Sequence, residues 1–375
     1  MSANGRPETL GRSQPKALRR VTLADVARDA GVHKATASRA LRGLPGVDAG
    51  TRLRVLESAR RLSFSASAAA TALATGRSKT VGLVLPTLRS WYFSEVAAGA
   101  SEVLSSAGYR IELVNLDVDS DFLDIDSPAF HDLMLELGAG HGRDALLFAG
   151  TIARSEGEHQ VTGAVPAAVA GTSITQVRGL AVDNRSGGRL VGGHLAGLGH
   201  RRLTVIEGRS AGSDRASVWQ HRTQGFLEIC PDADVLTAGD GDAANGHRAM
   251  THLITAGGPL PTAVFCHTDE LAFGALAALR GAGLRCPEDV SVAAFDDHPM
   301  ARYWGLTTVS QHAHQQGVRA AAALLERLHV PVDPAETAAL DALRVKLVIR
   351  ETTAEPTHQL RGHQLRERSI SRRSE

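Results

Sequence analysis

Apolar positions recur three and four apart from Val21 onward. Leu23, Val26, Ala27 and Ala30 make one stripe, the spacing of a helix with a single buried face. Thr22-x-x-Asp25 has the shape of a capping box, and Gly31 stands where a left-handed residue ends a helix. In "GVHKATASRALRG" the apolar residues Val32, Ala37, Ala40 and Leu41 mark a second helix; Val55, Leu56, Ala59 and Leu62 mark a third, capped by Asp48. Two helices broken by a glycine turn and braced by a third predict a helix-turn-helix over residues 20–64. The alanine-rich "SASAAATALAT" that follows is either a plain linker or a marginal helix capped by Ser67. Its propensity is high, but about ten residues are too few to hold a helix alone in water.

Beyond Lys79 the period changes. "TVGLVLP", "RIELVNL", "DALLFAG", "PAAVAG", "RLTVIEG", "TAVFCH" and "VSVAAFDD" are short apolar runs separated by segments of helical spacing, such as Phe93 to Ala107. Strand–helix alternation of this kind predicts parallel sheets covered by helices on both faces. Roughly 270 residues of it suffice for two lobes. Residues 1–19 and the tail from 354 to 375 are polar, basic and without apolar period, and are expected to be a flexible arm and a disordered tail.

Charge changes the picture more than composition does. The 375-residue chain has a formal net charge of +1, yet residues 1–80 carry 15 Lys/Arg against 5 Asp/Glu, and the remainder 26 against 35. A basic head on an acidic body implies that the head meets a polyanion. No apolar run reaches the roughly 18–20 residues of a membrane span, and the N-terminus lacks the order of a secretory signal. The three cysteines, Cys230, Cys266 and Cys286, are far apart and form no CxxC pair. A reduced, cytoplasmic protein, associated with the nucleoid, is the expectation.

The ordered motifs "VTLADVARDAGVHKATASRALRG", "GRSKTVGLVLP", "VDNRSGG", "LAGLGHRRLTVIEG", "HRTQGF", "CPEDVSVAAFDD", "LTTVSQ" and "LVIRETT" together resemble LacI/GalR-type transcriptional regulators from about Thr22 to Thr353. The resemblance implies an all-α helix-turn-helix headpiece plus an α/β two-lobed sensor domain that is periplasmic-binding-protein-like. Its expected divisions are a DNA-binding domain at 20–64, a hinge at 65–78 and a sensor at 79–353. Lobe 1 would take about 79–180 and 309–342, and lobe 2 about 181–308 and 343–353, with crossings near Leu180, Val309 and Ala342. The implied protein is a homodimeric repressor that binds palindromic operator DNA and takes a small-molecule effector between its lobes. It needs no cofactor, metal or membrane.

Within the second helix, Lys34, Ala35, Ser38, Arg39 and Arg42 share the face opposite the core residues. On an isolated helix that would be a solvated basic face; here it follows a helix-turn-helix glycine in the basic head, and DNA contact is the expected use. The resemblance puts Lys34, Ala35 and Arg39 against base edges, where the two cations can donate to guanine and Ala35 offers a methyl contact. Thr22, Thr36 and Arg42 are placed at phosphates. His33 stands where the family usually has serine; it is either a poor cap or a phosphate contact. Leu73 falls at the family's minor-groove wedge, or else packs one hinge helix on its twin. Ala66, Ser67 and Thr71 replace the Pro-Asn and arginine usual there, which predicts a weaker hinge.

For the effector, the resemblance singles out Arg222, Asp296 and Asn184, with "WYF" (Trp91, Tyr92, Phe93) as a stacking wall. Arg222 can give parallel hydrogen bonds to hydroxyls or a carboxylate, and Asp296 follows a strand at the end where open α/β sheets bind ligands. Each could instead serve an interlobe salt bridge or the core. A carbohydrate is the expected effector, although a nucleobase would use similar groups. Asp269 is expected to be a helix N-cap, and Thr268 replaces a family asparagine. "GAGHG" at Gly138 lacks the spacing of a phosphate loop, "DGD" at Asp240 lacks the later ligands of a calcium loop, and His312 and His314 in "QHAH" lack further metal partners. Two rival classes remain: a solute-binding protein of the same sensor fold, and an α/β enzyme using the cleft. The headpiece argues against the first, and the lack of an acid–base pair or activated nucleophile against the second, so no enzymatic activity is expected.

Overall fold

The computed structural model describes residues 21–64, 77–116, 122–124, 132, 137, 142–153, 166–171, 179–208, 218–332 and 344–357. The expected arm at 1–19, the hinge residues Ala66, Ser67, Thr71 and Leu73, and the "GAGHG" loop residues 138–141 lie outside them. The chain forms two compact units, divided between Ser78 and Lys79.

Among its described residues the first unit has three helices, α1 (Leu23–Asp29), α2 (Lys34–Leu41) and α3 (Ala49–Arg61). Thr22 accepts from the Asp25 amide and Asp25 accepts from the Thr22 amide, so the capping box is reciprocal. Asp48 accepts from the Thr51 amide at the start of α3. Gly31 has φ +65 with open space around its Cα; the backbone angle, not crowding, calls for glycine there. Val26, Ala37, Ala40, Val55 and Ala59 are buried between the helices. One buried polar group joins them: Ser58 Oγ reaches the Val26 carbonyl at 3.2 Å and donates to Asp29, which also pairs with Arg61.

The second unit carries two main sheets. The first has strand order β2-β1-β4-β6-β7, built from β1 (Thr80–Leu85), β2 (Arg110–Asn115), β4 (Ala145–Ala149), β6 (Ala167–Gly171) and β7 (Gly179–Ala181), all parallel. The short β3 (Phe122–Asp124) and β5 (Thr151–Ala153) pair beside it. The second has order β13-β12-β11-β10-β8-β9: β8 (Leu203–Gly208), β9 (Asp234–Gly239), β10 (Ala263–Cys266), β11 (Ser291–Asp296) and β12 (Thr307–Ser310) are parallel, and β13 (Lys346–Val348) closes the edge antiparallel. Alternation is strict in the central strands. Val205, Phe265, Ala293 and Phe295 face one core, and Ile206, Val264, Val292 and Ala294 face the other, as a sheet covered on both sides requires.

Among the described residues six long helices cover these sheets: α4 (Trp91–Ser106) and α9 (Ala313–Arg327) on the first, and α5 (Asn184–Gly197), α6 (Val218–Leu227), α7 (Ala243–Thr255) and α8 (Asp269–Gly281) on the second. They pack in three pairs, each through reciprocal glycines. A Cβ on Gly99 would lie 2.1 Å from the His314 carbonyl oxygen, and one on Gly317 2.0 Å from that of Val96. Gly188 meets Arg222 O at 2.1 Å and Gly225 meets Arg185 O at 1.9 Å, while Gly246 meets Leu271 O at 2.0 Å and Gly274 meets Ala243 O at 1.9 Å. In every pair each helix presses its backbone directly onto the other.

The chain passes from the first sheet to the second between β7 and α5, and returns between β12 and α9 at Gln311–His312, two residues beyond Val309. It is again in the second sheet at β13, after residues 333–343, which are not described. The last described residues correct the tail boundary. His200 Nε2 contacts the Ala354 carbonyl at 2.9 Å, the Ala354 amide donates to Ser291, and Thr357 donates to the Glu288 carbonyl at 2.5 Å. The sensor therefore runs four residues past Thr353. No helix among the described residues is long and apolar enough to cross a membrane.

Candidate functional site

In the first unit the exposed face of α2 is built by elimination. Ala37 and Ala40 point inward, so Lys34, Ala35, Arg39 and Arg42 are left outside, with Thr36 and Ser38 half-buried. His33 occupies the N-cap position but makes no side-chain cap. The first-turn amides of α2 consequently keep the character of an anion site. Arg39 donates to the Pro45 carbonyl at 2.7 Å, which steers its guanidinium along the loop after α2. Arg42 Nε reaches the Ser38 carbonyl at 3.3 Å. Thr22 is exposed, with its hydroxyl on Asp25 at 2.7 Å. Leu73 lies outside the described residues.

In the second unit three sequence-selected residues meet. Arg222 on α6 is 5% exposed. Its Nε donates to Asn184 Oδ1 at 2.9 Å, its Nη1 donates to the His267 carbonyl, and the same nitrogen lies 3.8 Å from Asp296 Oδ1. The guanidinium sits 3.7 Å above the Phe295 ring, a cation–π contact in a desolvated setting. Asn184 Nδ2 donates to the Val182 carbonyl at 3.2 Å, which fixes its oxygen toward Arg222.

Asp296 ends β11 and accepts from Gln311 Nε2 at 2.5 Å. Burial pushes its carboxyl up to about 7, with the Arg222 charge acting the other way. Its φ is +130 and that of Asp297 is +60, two consecutive non-glycine residues in the left-handed half of the map at the strand's end. Beside them lies Asp269, fully buried, accepting from Thr308 Oγ1 at 2.5 Å and from the His298 amide at 2.7 Å. Burial first, then the neighbouring Asp296, raises its carboxyl well above the ordinary range. Asp269 is not the cap of α8: Thr268 is, accepting from Leu271 N at 3.0 Å while donating to the Gly241 carbonyl at 2.7 Å. A short hydroxyl fits that role when the acid is held by Thr308 and the loop after β11.

The expected aromatic wall divides. Trp91 is half-buried at the start of α4 with its ring 4.7 Å from that of His298, a contact between the two lobes. Tyr92 donates to Gln316 Oε1 at 2.7 Å. Phe93 is 3% exposed in the core of the first sheet, its ring 2.8 Å from where a Cβ on Gly150 would be. Its assignment to the wall is corrected: the helix turns the third aromatic inward, 200° from the first.

Several further participants were not singled out in the sequence. Gln316 Nε2 donates to the Gln311 carbonyl at 2.8 Å, so Tyr92, Gln316, Gln311 and Asp296 form one hydrogen-bonded line from α4 to β11. In "QHAH" the glutamine matters to the site. His312 begins α9 in a left-handed conformation and His314 lies 3.5 Å from Glu102; no group of three metal-ligating side chains occurs among the described residues. In "DGD", Asp242 caps α7. Buried His267 borders Arg222 through its carbonyl, and half-buried Trp219 lies against the His267 ring.

A basic helix-turn-helix on a two-lobed domain with a polar cleft defines a DNA-binding regulator with an effector sensor. Residues 22–67 match the model of bacterial regulatory proteins of the lacI family, and residues 193–353 that of the periplasmic binding protein-like domain. The chain belongs to the LacI family of transcriptional regulators. It is 31% identical over 351 residues, 89% of this chain and 97% of the relative, to the HTH-type transcriptional repressor PurR of Yersinia pestis bv. Antiqua (strain Antiqua). Its fold matches the lac repressor dimer bound to operator and the anti-inducer ONPF, with TM-score 0.73, 23% identity, and 90% of this chain and 100% of that one covered. It also matches a complex of the transcriptional regulator CelR with cellobiose, with TM-score 0.57, 26% identity, and 89% and 100% covered. These relatives are regulators rather than enzymes.

Proposed function

We propose that the chain is a cytoplasmic homodimeric repressor whose hold on a palindromic operator is set by a small carbohydrate bound between its lobes. The observation that carries the reading is the buried Arg222–Asp296 couple at the carboxyl end of β11. It combines a donor fork and a carboxylate acceptor where open α/β sheets take ligands. A sugar offers both hydroxyl hydrogens and hydroxyl oxygens to such a pair, and the CelR relative is a cellobiose complex. Met300, Tyr303 and Trp304 are 45%, 70% and 38% exposed, an aromatic patch suited to a second copy of the chain, and the lac repressor structure is a dimer. The headpiece disfavours a solute-binding role, and the relatives named above are regulators.

The DNA-reading assignment is tested by a gel shift against a palindromic operator over a range of salt. Lys34→Ala is expected to weaken operator binding by about 1–3 kcal/mol and to relax preference at one base position of each half-site. A uniform loss over all sequences, with the salt slope lowered by about 1 per half-site, would make Lys34 a phosphate contact instead. Unchanged binding would remove α2 from the interface.

The effector assignment carries a pH dependence. Asp296 titrates near 7, so the ligand-free sensor takes up a proton as pH falls through that value, and a neutral carboxyl is the poorer acceptor for a hydroxyl. Sugar affinity measured by calorimetry should be level above about pH 8 and fall toward tenfold per pH unit below 7. Asp296→Asn should flatten the profile at its weaker end; a steep profile in that variant would point to a different titrating group.

A further inference from the structure

Trp219 precedes Arg222 by one turn of α6 and is half-buried. Its indole rests on bare backbone at two places. A Cβ built on Gly208, at the end of β8, would fall 1.2 Å from Cζ3, and one on Gly241, just past β9, 2.9 Å from Cη2. The two glycines make a slot shaped for this ring. Its ring centroid stands 6.0 Å from that of His267, with the ring planes at 75°, and His267 immediately follows β10. The indole therefore lies along the carboxyl ends of β8, β9 and β10, the edge on which Asp296 ends β11.

His267 is fully buried, and its hydrogens can be assigned from its neighbours. Thr223 Oγ1 gives its single proton to Glu207 Oε2 at 2.5 Å, so at its 2.9 Å contact with His267 Nε2 it can only accept. Nε2 then carries the ring hydrogen, and Nδ1 is a lone pair. That Nδ1 is buried and has no hydrogen-bond partner. The nearest cation, Arg222, is directed to the His267 carbonyl instead. A buried acceptor left open is costly unless something supplies a donor.

We infer that Trp219 and His267 form the second lobe's half of the effector site: the indole is a platform for the C–H face of a sugar ring, and Nδ1 accepts a hydrogen from one of its hydroxyls. The inference rests on the carbohydrate reading above and deepens it. A sugar ring matches the pair because it presents an apolar face and a rim of O–H donors at right angles to one another, as indole and imidazole are arranged. Nδ1 is out of reach of water in this arrangement, so a hydroxyl engages it as the half-buried indole tilts from its slot. Trp219 thereby reports binding through its emission.

The test uses the full-length protein and a panel of glucose, galactose, ribose, maltose and cellobiose. Binding is read by calorimetry and by tryptophan emission, with cooperative melting as the control for folding. Trp219→Ala is expected to weaken the Kd of any panel sugar that binds wild type by tenfold or more. Gly241→Ala, which crowds the slot from beneath and so favours the tilted ring, should leave that Kd unchanged or tighten it. A sugar that binds wild type and Trp219→Ala equally, or that is lost on Gly241→Ala, would overturn this inference while leaving the carbohydrate reading in place. Silence of the whole panel against wild type would overturn that reading, and the sugar platform with it. A second measurement needs no sugar: the long-range 1H–15N spectrum of the His267 ring should show the Nε2–H tautomer. An Nδ1–H tautomer would overturn the acceptor assignment.

Discussion

Arg222→Ala should lower the melting temperature of the sensor by about 6–20 °C at pH 8 and abolish its response to effector. The guanidinium holds the Asn184 amide, the His267 carbonyl and the Asp296 carboxylate, and covers the Phe295 ring. Removing one member of a buried charged pair typically costs about 3–5 kcal/mol, and a domain of this size loses roughly 2–4 °C per kcal/mol. The sign of the pH effect follows from Asp296. Its folded-state value is raised to about 7 from 3.8, so the folded state gains stability as pH falls from about 7 toward 4, and loses that gain as pH rises again. Without Arg222 the carboxyl is still more ready to take a proton, and a neutral Asp296 needs no counter-charge. The deficit in melting temperature should therefore be smaller at pH 5.5 than at pH 8. A deficit independent of pH would mean that lost packing on Phe295 outweighs the charge. Operator binding resides in a separate compact unit and should survive; its loss would signal global misfolding.

Gly188→Ala is expected to be damaging as well, although it adds a single methyl group and removes no interaction. The new Cβ would stand 2.1 Å from the Arg222 carbonyl oxygen and 2.9 Å from the Phe226 amide nitrogen. Both are backbone atoms of α6, so no rotamer change relieves the clash, and the helices must separate. Overpacking of cores costs about 1–3 kcal/mol where side chains can yield; here the cost should be at or above that range. α6 also carries Trp219, Arg222 and Thr223, so its displacement should remove effector binding even in the folded fraction. The check is a pair of melts, Gly188→Ala against Gly193→Ala, because Gly193 has open space around it on the same helix. Equal effects would refute the close-contact explanation.

The headpiece was legible residue by residue because its determinants are local: a capping box, a positive-φ glycine and a helical stripe of apolar residues. The central strands were legible as apolar runs because both of their faces are buried. β12, "TTVS", was not, since the buried hydroxyls of Thr307 and Thr308 are satisfied by Arg350 and Asp269, partners 43 and 39 residues away. β9 and β13 sit at sheet edges and are largely half-buried or exposed, which blurs the apolar signal. At the site, Arg222, Asn184 and Asp296 do come together. Phe93 goes to the core, because three successive helical residues cannot share one face. Gln311 and His267 follow the ends of β12 and β10, so strand ends were the one sequence signal that pointed at them. Trp219 carried none; its place is defined by Gly208 and Gly241, both remote in the chain.

The end of β11 joins several unfavourable features: two successive residues at positive φ, carboxyls held away from water, and nearby an imidazole nitrogen with no partner. None of them helps the domain stay folded. A population of this protein selected only for survival of heat would be expected to discard these residues early, replacing Asp296 and its neighbours with apolar or amide side chains. The survivors would be sturdier and blind, their separate helix-turn-helix unit untouched and their sensor deaf to any effector.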